Sequence, residues 1–442
     1  MDISFVNPAS PFLISDKGAP ALGELYLASI CRNAGFNVKV IDLTGVRFNA
    51  DYFGQSPKEF IPECTSEFLK YFEKSDVYAI TATSAQYDSA LNFKTFVNFV
   101  DPHAKVIIGG SHVSALPEEA SKDCWDLVVT GEADLHIVEL IQNIDKIKKG
   151  TIFNCIAPRH LDLIPLPARD LIDLKSYCAN LTVGEGLTCT IHMSRGCSFK
   201  CSYCVRTLGD AARLLRVRSI PNIASEIQQI RDNYGIKRYV ATDDIWGVKH
   251  NWTEEFCNRF YDSDYHFRVN CRANTLHFDL LPAMKKAGVD VISFGYESGS
   301  EKVLESISKN NIELNTKSVI ACHETGINVK AYMIAGFAED DEHSFEESKR
   351  WIEEAKPDSV QWSWLIPLPG TPIYQDAIKQ GWKPNYSELY HMGKGARGSM
   401  NRLPWHTDQT AQIYEDLVLW TENYYCKKQD AIDCPLALSN IK

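Results

Sequence analysis

The sequence predicts an α/β protein of two parallel-sheet units. A doubly wound, Rossmann-like domain comes first, then a (β/α)6 partial barrel, then a small C-terminal helical segment. Three features carry this expectation. Strand-like and helix-like segments alternate over residues 1–150 and again over 186–380. Between them a proline-bearing stretch, "IAPRHLDLIPLPARDLID", breaks the alternation and marks a linker over 151–185. The remainder, 381–442, is rich in Tyr and Trp and reads as a helical cap or tail. At 442 residues the chain is too long for one ordinary core and long enough for two or three.

The elements follow in order. "DISFVNP" is a short apolar run ended by Asn-Pro, so a strand and then a loop. "ALGELYLASICRNAG" sets Leu22, Leu25, Leu27, Ile30 and Cys31 along an amphipathic helix that stops at Gly35. "NVKVIDL", "DVYAITATS", "KVIIGG" and "DLVVTGE" read as strands, with "ALNFKTFVNFVD" and "ADLHIVELIQNI" as helices. Such units build a parallel sheet covered on both faces, with ligands at the carboxyl ends of its strands. In the second unit the strands are "CTIHMS", "RYVATDD", "FRVNCRA", "VISFGYES", "VKAYMIAGF" and "SVQWSWLIPLPG". Helices such as "NIASEIQQIRDNYG", "LLPAMKKAG" and "SEKVLESISK" lie between them. Six such units fit a complete or partial barrel, whose site forms at the C-terminal strand ends.

Hydrophobic residues are 45% and charged residues 23%, a globular composition. The net charge is -11, with 57 acids against 46 bases, which argues against a broad basic surface for nucleic acid. "MDISFVNPASPF" lacks the basic start of a signal peptide, and no run reaches the eighteen or so apolar residues of a spanning helix. The reading is a cytoplasmic protein with no membrane span. Fourteen cysteines in a reducing compartment point to metal or redox chemistry where they cluster. Cys31, Cys64, Cys155, Cys178 and Cys322 are scattered and read as buried thiols. Cys426 and Cys434, two thiols only, are too few for a second cluster.

The exception is "SRGCSFKCSYC", with three cysteines in eleven residues. A structural zinc site wants four ligands, usually as two separated pairs. A 4Fe-4S cluster held by three thiolates instead leaves one iron open to an outside ligand. "CSFKCSYC" has the C-x3-C-x2-C spacing of the radical S-adenosylmethionine superfamily, which the chain resembles, and it follows the first expected barrel strand. The resemblance implies that Cys197, Cys201 and Cys204 ligate a 4Fe-4S cluster, shielded by Tyr203. The open iron would chelate S-adenosylmethionine, whose reductive cleavage gives a 5'-deoxyadenosyl radical.

The resemblance extends along the barrel. "ATDDIWG" puts Asp243 and Asp244 where the family holds the methionyl ammonium, although the family's Gly-Gly-Glu form is absent. "NCRAN" offers Arg272 to the methionyl carboxylate, and "FGYESGSEKVLESISK" offers Glu297 and Ser298 to the ribose. "MIAGFAED" resembles the adenine-binding strand, with Ile334, Gly336 and Glu339 in place and Tyr332 replacing its leading glycine. The C-terminal aromatics Tyr386, Tyr390, Trp405 and Trp420 read as core packing or as a lining of the substrate cavity.

The first domain is similar to the cobalamin-binding domain of the cobalamin-dependent subgroup of that superfamily. Ser84, Gly109 and Gly110 fall at expected strand ends, and Gly131 and Glu132 border the same crevice. Glycines there would admit the nucleotide tail of a base-off cobalamin. No Asp-x-His-x-x-Gly is present, and His112 lies at the wrong place for a lower cobalt ligand. The implied activity is methylation of an unactivated carbon. The alternatives are rearrangement, cyclisation or carbon–carbon bond formation without methyl transfer, or a non-catalytic corrinoid- or cluster-binding protein. A small molecule or peptide is the expected substrate, and a flavodoxin or ferredoxin the expected electron donor.

Overall fold

Two six-stranded sheets order the molecule. The computed structural model describes residues 1–9, 19–43, 72–177, 186–205, 213–386 and 402–429. The first sheet holds β1 (Asp2–Asn7), β2 (Asn37–Asp42), β3 (Val77–Thr81), β4 (Lys105–Gly109), β5 (Leu127–Thr130) and β6 (Thr151–Asn154), in the order β2-β1-β3-β4-β5-β6. Every pairing is parallel. Its central strands are mostly apolar because helices cover both faces, and Val77, Tyr78, Ala79 and Ile80 are all buried. Tyr78, Phe93 and Val106 belong to one core layer, and Phe5, Ala28 and Ile107 to the other. The strand order reverses beside β1, which opens a crevice at the carboxyl ends.

The sequence did not mark β6. It extends the first sheet to Asn154, inside the stretch read as linker. The rest of that stretch, up to residue 177, is a series of short 3-10 turns.

All six expected barrel strands are present. They are β7 (Thr188–Ile191), β10 (Arg238–Ala241), β11 (His266–Cys271), β12 (Val289–Glu297), β13 (Asn328–Ala335) and β14 (Ser359–Trp364). They pair in parallel in the order β7-β10-β11-β12-β13-β14, a curled half-barrel. In β13 burial alternates: Val329, Ala331, Met333 and Ala335 enter the helix-covered core, and Lys330, Tyr332 and Ile334 take the other face. A two-residue antiparallel ribbon, β8 (Ser194–Arg195) with β9 (Arg216–Val217), pinches the base of the cysteine loop. The helix Asp408–Gln429 caps β14, with Trp362 Nε1 donating to Thr421 Oγ1 at 2.9 Å and Tyr425 OH to the Pro357 carbonyl at 2.8 Å.

Candidate active site

The cysteine loop starts where β7 leaves the sheet. Cys201 is buried, Cys197 half-buried and Cys204 exposed, with a turn closed by Cys204 N donating to Cys201 O at 3.2 Å. Burial raises the Cys197 thiol, and the neighbouring Asp244 and Cys201 add to the shift. Among the described residues no three ligating side chains converge on a point that would hold a single metal ion. In a cubane each thiol would take a separate iron. Cys64, Cys178 and Cys434 lie outside the described residues, as does the side chain of Cys426.

Arg272, at the end of β11, donates from Nη1 to Cys201 Sγ at 2.9 Å and stacks over the Phe199 ring at 4.0 Å. Its guanidinium thus braces the loop itself. At the end of β10, Asp243 accepts from Met193 N at 2.8 Å and from Ser194 Oγ at 2.6 Å. Asp244 accepts from Gly196 N at 3.0 Å. Both aspartates tie their strand to the root of the loop. Burial pushes Asp243 up to about 7 and also raises Asp244.

At the end of β12 the register slips between Gly295 and Glu297, and Glu297 adopts φ 73°, a left-handed conformation rare outside glycine. The slip aims its carboxylate at Tyr203 OH, 2.8 Å away, and at Lys309 Nζ, 2.9 Å away. A Cβ on Gly295 would stand 2.4 Å from Glu297 Oε1 and 3.0 Å from Lys309 Nζ, so a side chain there would displace this pair. Ser298 is used within the following turn, where its Oγ accepts from Ser300 N at 3.1 Å. At the end of β13, Ile334 packs with Tyr203 and Phe337 in one apolar cluster. Gly336 has φ 107°, and its carbonyl is taken by Trp405 Nε1 at 3.1 Å and His406 Nε2 at 2.6 Å. Glu339 sits on the rim, accepting from Ser306 Oγ at 3.0 Å.

The structure thus gathers Cys197, Cys201, Cys204, Tyr203, Asp243, Asp244, Arg272 and Glu297 around one loop. It engages Gly336 with the C-terminal segment and Ser298 within its own turn. Of the C-terminal aromatics, Trp405 reaches this mouth, and Tyr386 OH donates to Glu119 at 3.1 Å in the first domain. Trp420 stacks on Tyr424. Tyr390 lies outside the described residues.

Facing the loop is a cavity of about 330 Å3. Gly109, Gly110, Gly131 and Glu132 from the first domain line it, opposite Ser194, Gly196, Thr242 and Asp244 from the barrel. Gly110 (φ 100°) and Gly131 (φ 77°) are fixed by their own backbone: a Cβ would stand 2.7 Å from the Ala82 carbonyl oxygen and 2.8 Å from the Cys155 carbonyl oxygen, respectively. Gly109 has only the Val129 carbonyl oxygen near, at 3.6 Å. Ser84 lies outside the lining, beside His112 Nδ1 at 3.2 Å, and the His112 ring packs 4.1 Å from that of Tyr87. His112 is therefore a core residue and not a cavity ligand.

Glu132 meets Arg195 at 2.9 Å and Arg216 at 2.5 Å, and Arg195 also reaches Asp134 at 3.1 Å. Burial works to raise the Glu132 pKa, but the two guanidiniums hold it below the ordinary range. Arg195 and Arg216 face each other across the β8–β9 ribbon, so the pinch under the cysteine loop is clamped to the end of β5. The sequence reading missed Arg195, Arg216, Asp134 and Lys309. Arg195, two positions before Cys197, was the one local hint.

Such a molecule is a two-unit cofactor enzyme: an open parallel barrel carries a three-thiol loop, and a doubly wound domain presents its strand ends across one shared cavity. The Radical SAM superfamily model matches residues 191–352, and the B12 binding domain model matches residues 17–141. The chain belongs to the radical S-adenosylmethionine superfamily, in the subgroup that carries a cobalamin-binding domain. Its cofactors are a 4Fe-4S cluster, S-adenosylmethionine and cobalamin.

An uncharacterized methyltransferase of Pyrococcus horikoshii is 29% identical over 381 residues, 81% of this chain and 78% of the relative. An anaerobic magnesium-protoporphyrin IX monomethyl ester cyclase of Cereibacter sphaeroides is 26% identical over 334 residues, 69% of this chain and 53% of the relative. The structure of the radical S-adenosylmethionine methyltransferase TsrM from Kitasatospora setae, with cobalamin and a [4Fe-4S] cluster bound, has a TM-score of 0.63 at 15% identity. That match covers 86% of this chain and 78% of TsrM, and shows the shared fold. No described helix is long and apolar enough to cross a membrane.

Proposed function

We propose that this enzyme methylates an unactivated carbon of a small molecule or peptide, with electrons from a flavodoxin- or ferredoxin-type donor. The observation that carries the reading is the shared cavity, walled by cobalamin-domain strand ends on one side and by the root of the cysteine loop on the other. When bound, the cofactors supply a 5'-deoxyadenosyl radical that removes a hydrogen atom from the substrate and a methyl group that replaces it. The chain's own residues hold and orient them.

Cys197, Cys201 and Cys204 hold the cluster. Tyr203, Asp243, Asp244, Arg272, Glu297, Ser298, Ile334, Gly336 and Glu339 form the S-adenosylmethionine side. Lys309 holds the Glu297 carboxylate in place, so that its oxygens can accept from ribose hydroxyls. The Arg195–Glu132–Arg216 clamp ties the end of the first domain's sheet to the root of the loop. Gly109, Gly110, Gly131 and Glu132 border the corrinoid, with Ser84 behind them.

The test is product counting under anaerobic conditions with reconstituted protein, a chemical reductant and candidate substrates. Equal amounts of S-adenosylhomocysteine and 5'-deoxyadenosine, with a gain of one methyl mass, are expected. 5'-Deoxyadenosine and a rearranged or cyclised product, without S-adenosylhomocysteine, would replace methyl transfer by the chemistry that the name of the Cereibacter relative suggests.

A further inference from the structure

The shared cavity does not stop at the strand ends. It continues into the first domain along one face of the sheet, between Phe5, Ala79 and Ile107 on the strands and Gly23, Leu27 and Ile137 on the helices Leu22–Asn33 and Ile137–Gln142. In a doubly wound fold this layer is normally filled by interlocking side chains, and space left in it forfeits dispersion contacts. Here Gly23 leaves it open, with nothing within 4 Å of the position a Cβ would take.

Two polar atoms on this cavity are buried without a hydrogen-bond partner, Oε1 of Glu24 and Nδ1 of His192. Glu24 is the more telling. It is 4% exposed and sits in the first turn of its helix, on the helix side of the slot. A buried polar atom left unpaired is costly and rare in native proteins unless something outside the chain completes it.

We infer that Glu24 reads the lower base of the corrinoid's nucleotide tail, by a hydrogen bond between its carboxyl and a ring nitrogen of a base seated in this slot. The inference rests on the assignment of cobalamin to this domain and adds a selectivity for corrinoids whose tail ends in a nitrogen heterocycle. A flat ring with one acceptor fits a space that is apolar on both walls and carries an unpaired carboxyl oxygen on one of them. Burial, reinforced by the charge of Asp42, raises the Glu24 pKa well above the usual carboxylate range, while the Thr81 backbone works the other way. Such a shift favours the protonated carboxyl, which can donate to a free ring nitrogen.

The test is corrinoid binding to the anaerobically purified full chain, by equilibrium dialysis and visible absorbance. Three probes are used: cobalamin, a corrinoid whose tail ends in a phenolic ring without ring nitrogen, and cobinamide, which has no nucleotide tail. Wild type is expected to hold cobalamin about 10-fold more tightly than the phenolic corrinoid. Glu24→Leu is expected to erase that preference and leave the phenolic corrinoid's affinity as it was. Glu24→Gln, whose amide can still donate, is expected to keep most of the preference.

Equal affinity of wild type for cobalamin and the phenolic corrinoid overturns the inference. So does cobinamide binding as tightly as cobalamin, or a Glu24→Leu variant that loses both tailed corrinoids alike. In each of these cases corrinoid binding itself still stands. If none of the three probes binds wild type, the cobalamin assignment fails and the inference fails with it.

Discussion

Buried charge is handled in opposite ways at the root of the cysteine loop and inside the first domain. Around the root, two of the buried acids sit between cations, while Asp243 and Asp244 are held by hydrogen bonds alone. Glu226, with no exposed surface, lies between Arg169 and Arg218, and Glu132 lies between Arg195 and Arg216. In the first-domain slot, Glu24 keeps an oxygen with no partner. Both oxygens of Glu226 and of Glu132 are met by guanidiniums, whereas one oxygen of Glu24 is not, and a buried polar atom left unmet is costly until something completes it. We read the root of the loop as held by its ion pairs before any cofactor arrives, and the slot as completed by one.

The contrast breaks most visibly if the loop depends on its cluster for shape. Cys201→Ala is expected to drop bound iron from about four per chain to background and to abolish reductive cleavage of S-adenosylmethionine. The ion pairs below the loop should still hold, so circular dichroism and the unfolding midpoint of the apo-protein should match wild type. A large loss of apo stability would show that the thiols, and not the ion pairs, organise this region.

Next in size is the ion network itself. Arg169 comes from the linker, Glu226 from the helix Ile220–Tyr234 and Arg218 from the strand-to-helix turn, so one carboxylate fastens three segments. Glu226→Ala leaves two guanidiniums buried without their counter-charge and is expected to cost about 3–5 kcal/mol in denaturant unfolding. Glu24→Leu, which removes an acid that has no cation, should be neutral or stabilising in the same assay without corrinoid. If both substitutions destabilise equally, the two regions are alike.

How much of this was legible in the sequence follows the same division. The six barrel strands and the first five of the other sheet could be read because apolar runs bounded by turn residues are local signals. β6 was hidden because "TIFN" is four residues with no pattern of its own, and it becomes a strand by pairing with β5. The three thiols could be read from spacing. Arg272 was assigned to an open strand end, but in the structure it lies against Cys201. Lys309, Arg195 and Arg216 could not be read. A lysine or arginine is an ordinary surface residue by sequence, and Glu132 is 84 positions from the Arg216 it binds. Nothing in "GELYL" shows that Glu24 would be turned inward.

The smallest effect asks whether hydrogen bonds alone can make a half-buried carboxylate comfortable where no cation stands beside it. Asp340 accepts from Gly336 N at 2.8 Å, Phe337 N at 2.9 Å and Ser344 Oγ at 3.1 Å, fastening the turn after β13. Burial nevertheless pushes its pKa up to about 6, against an ordinary 3.8, and Glu339 adds to the rise. Because the folded value is the higher one, the native state holds this proton more tightly than the unfolded chain does. The group's contribution to stability is fully present below about pH 3.8 and is lost as pH rises through about 6, after which it is level. Asp340→Asn cannot ionise and should lack this slope. Over that window its stability relative to wild type should climb by on the order of 1 kcal/mol, the side chain being partly exposed. Urea unfolding of both proteins at pH 4.5, 6 and 7.5 measures the difference. A flat difference would mean that the two backbone N–H groups and the serine suffice, and that a carboxylate at this turn does not need the flanking cations that Glu226 and Glu132 have.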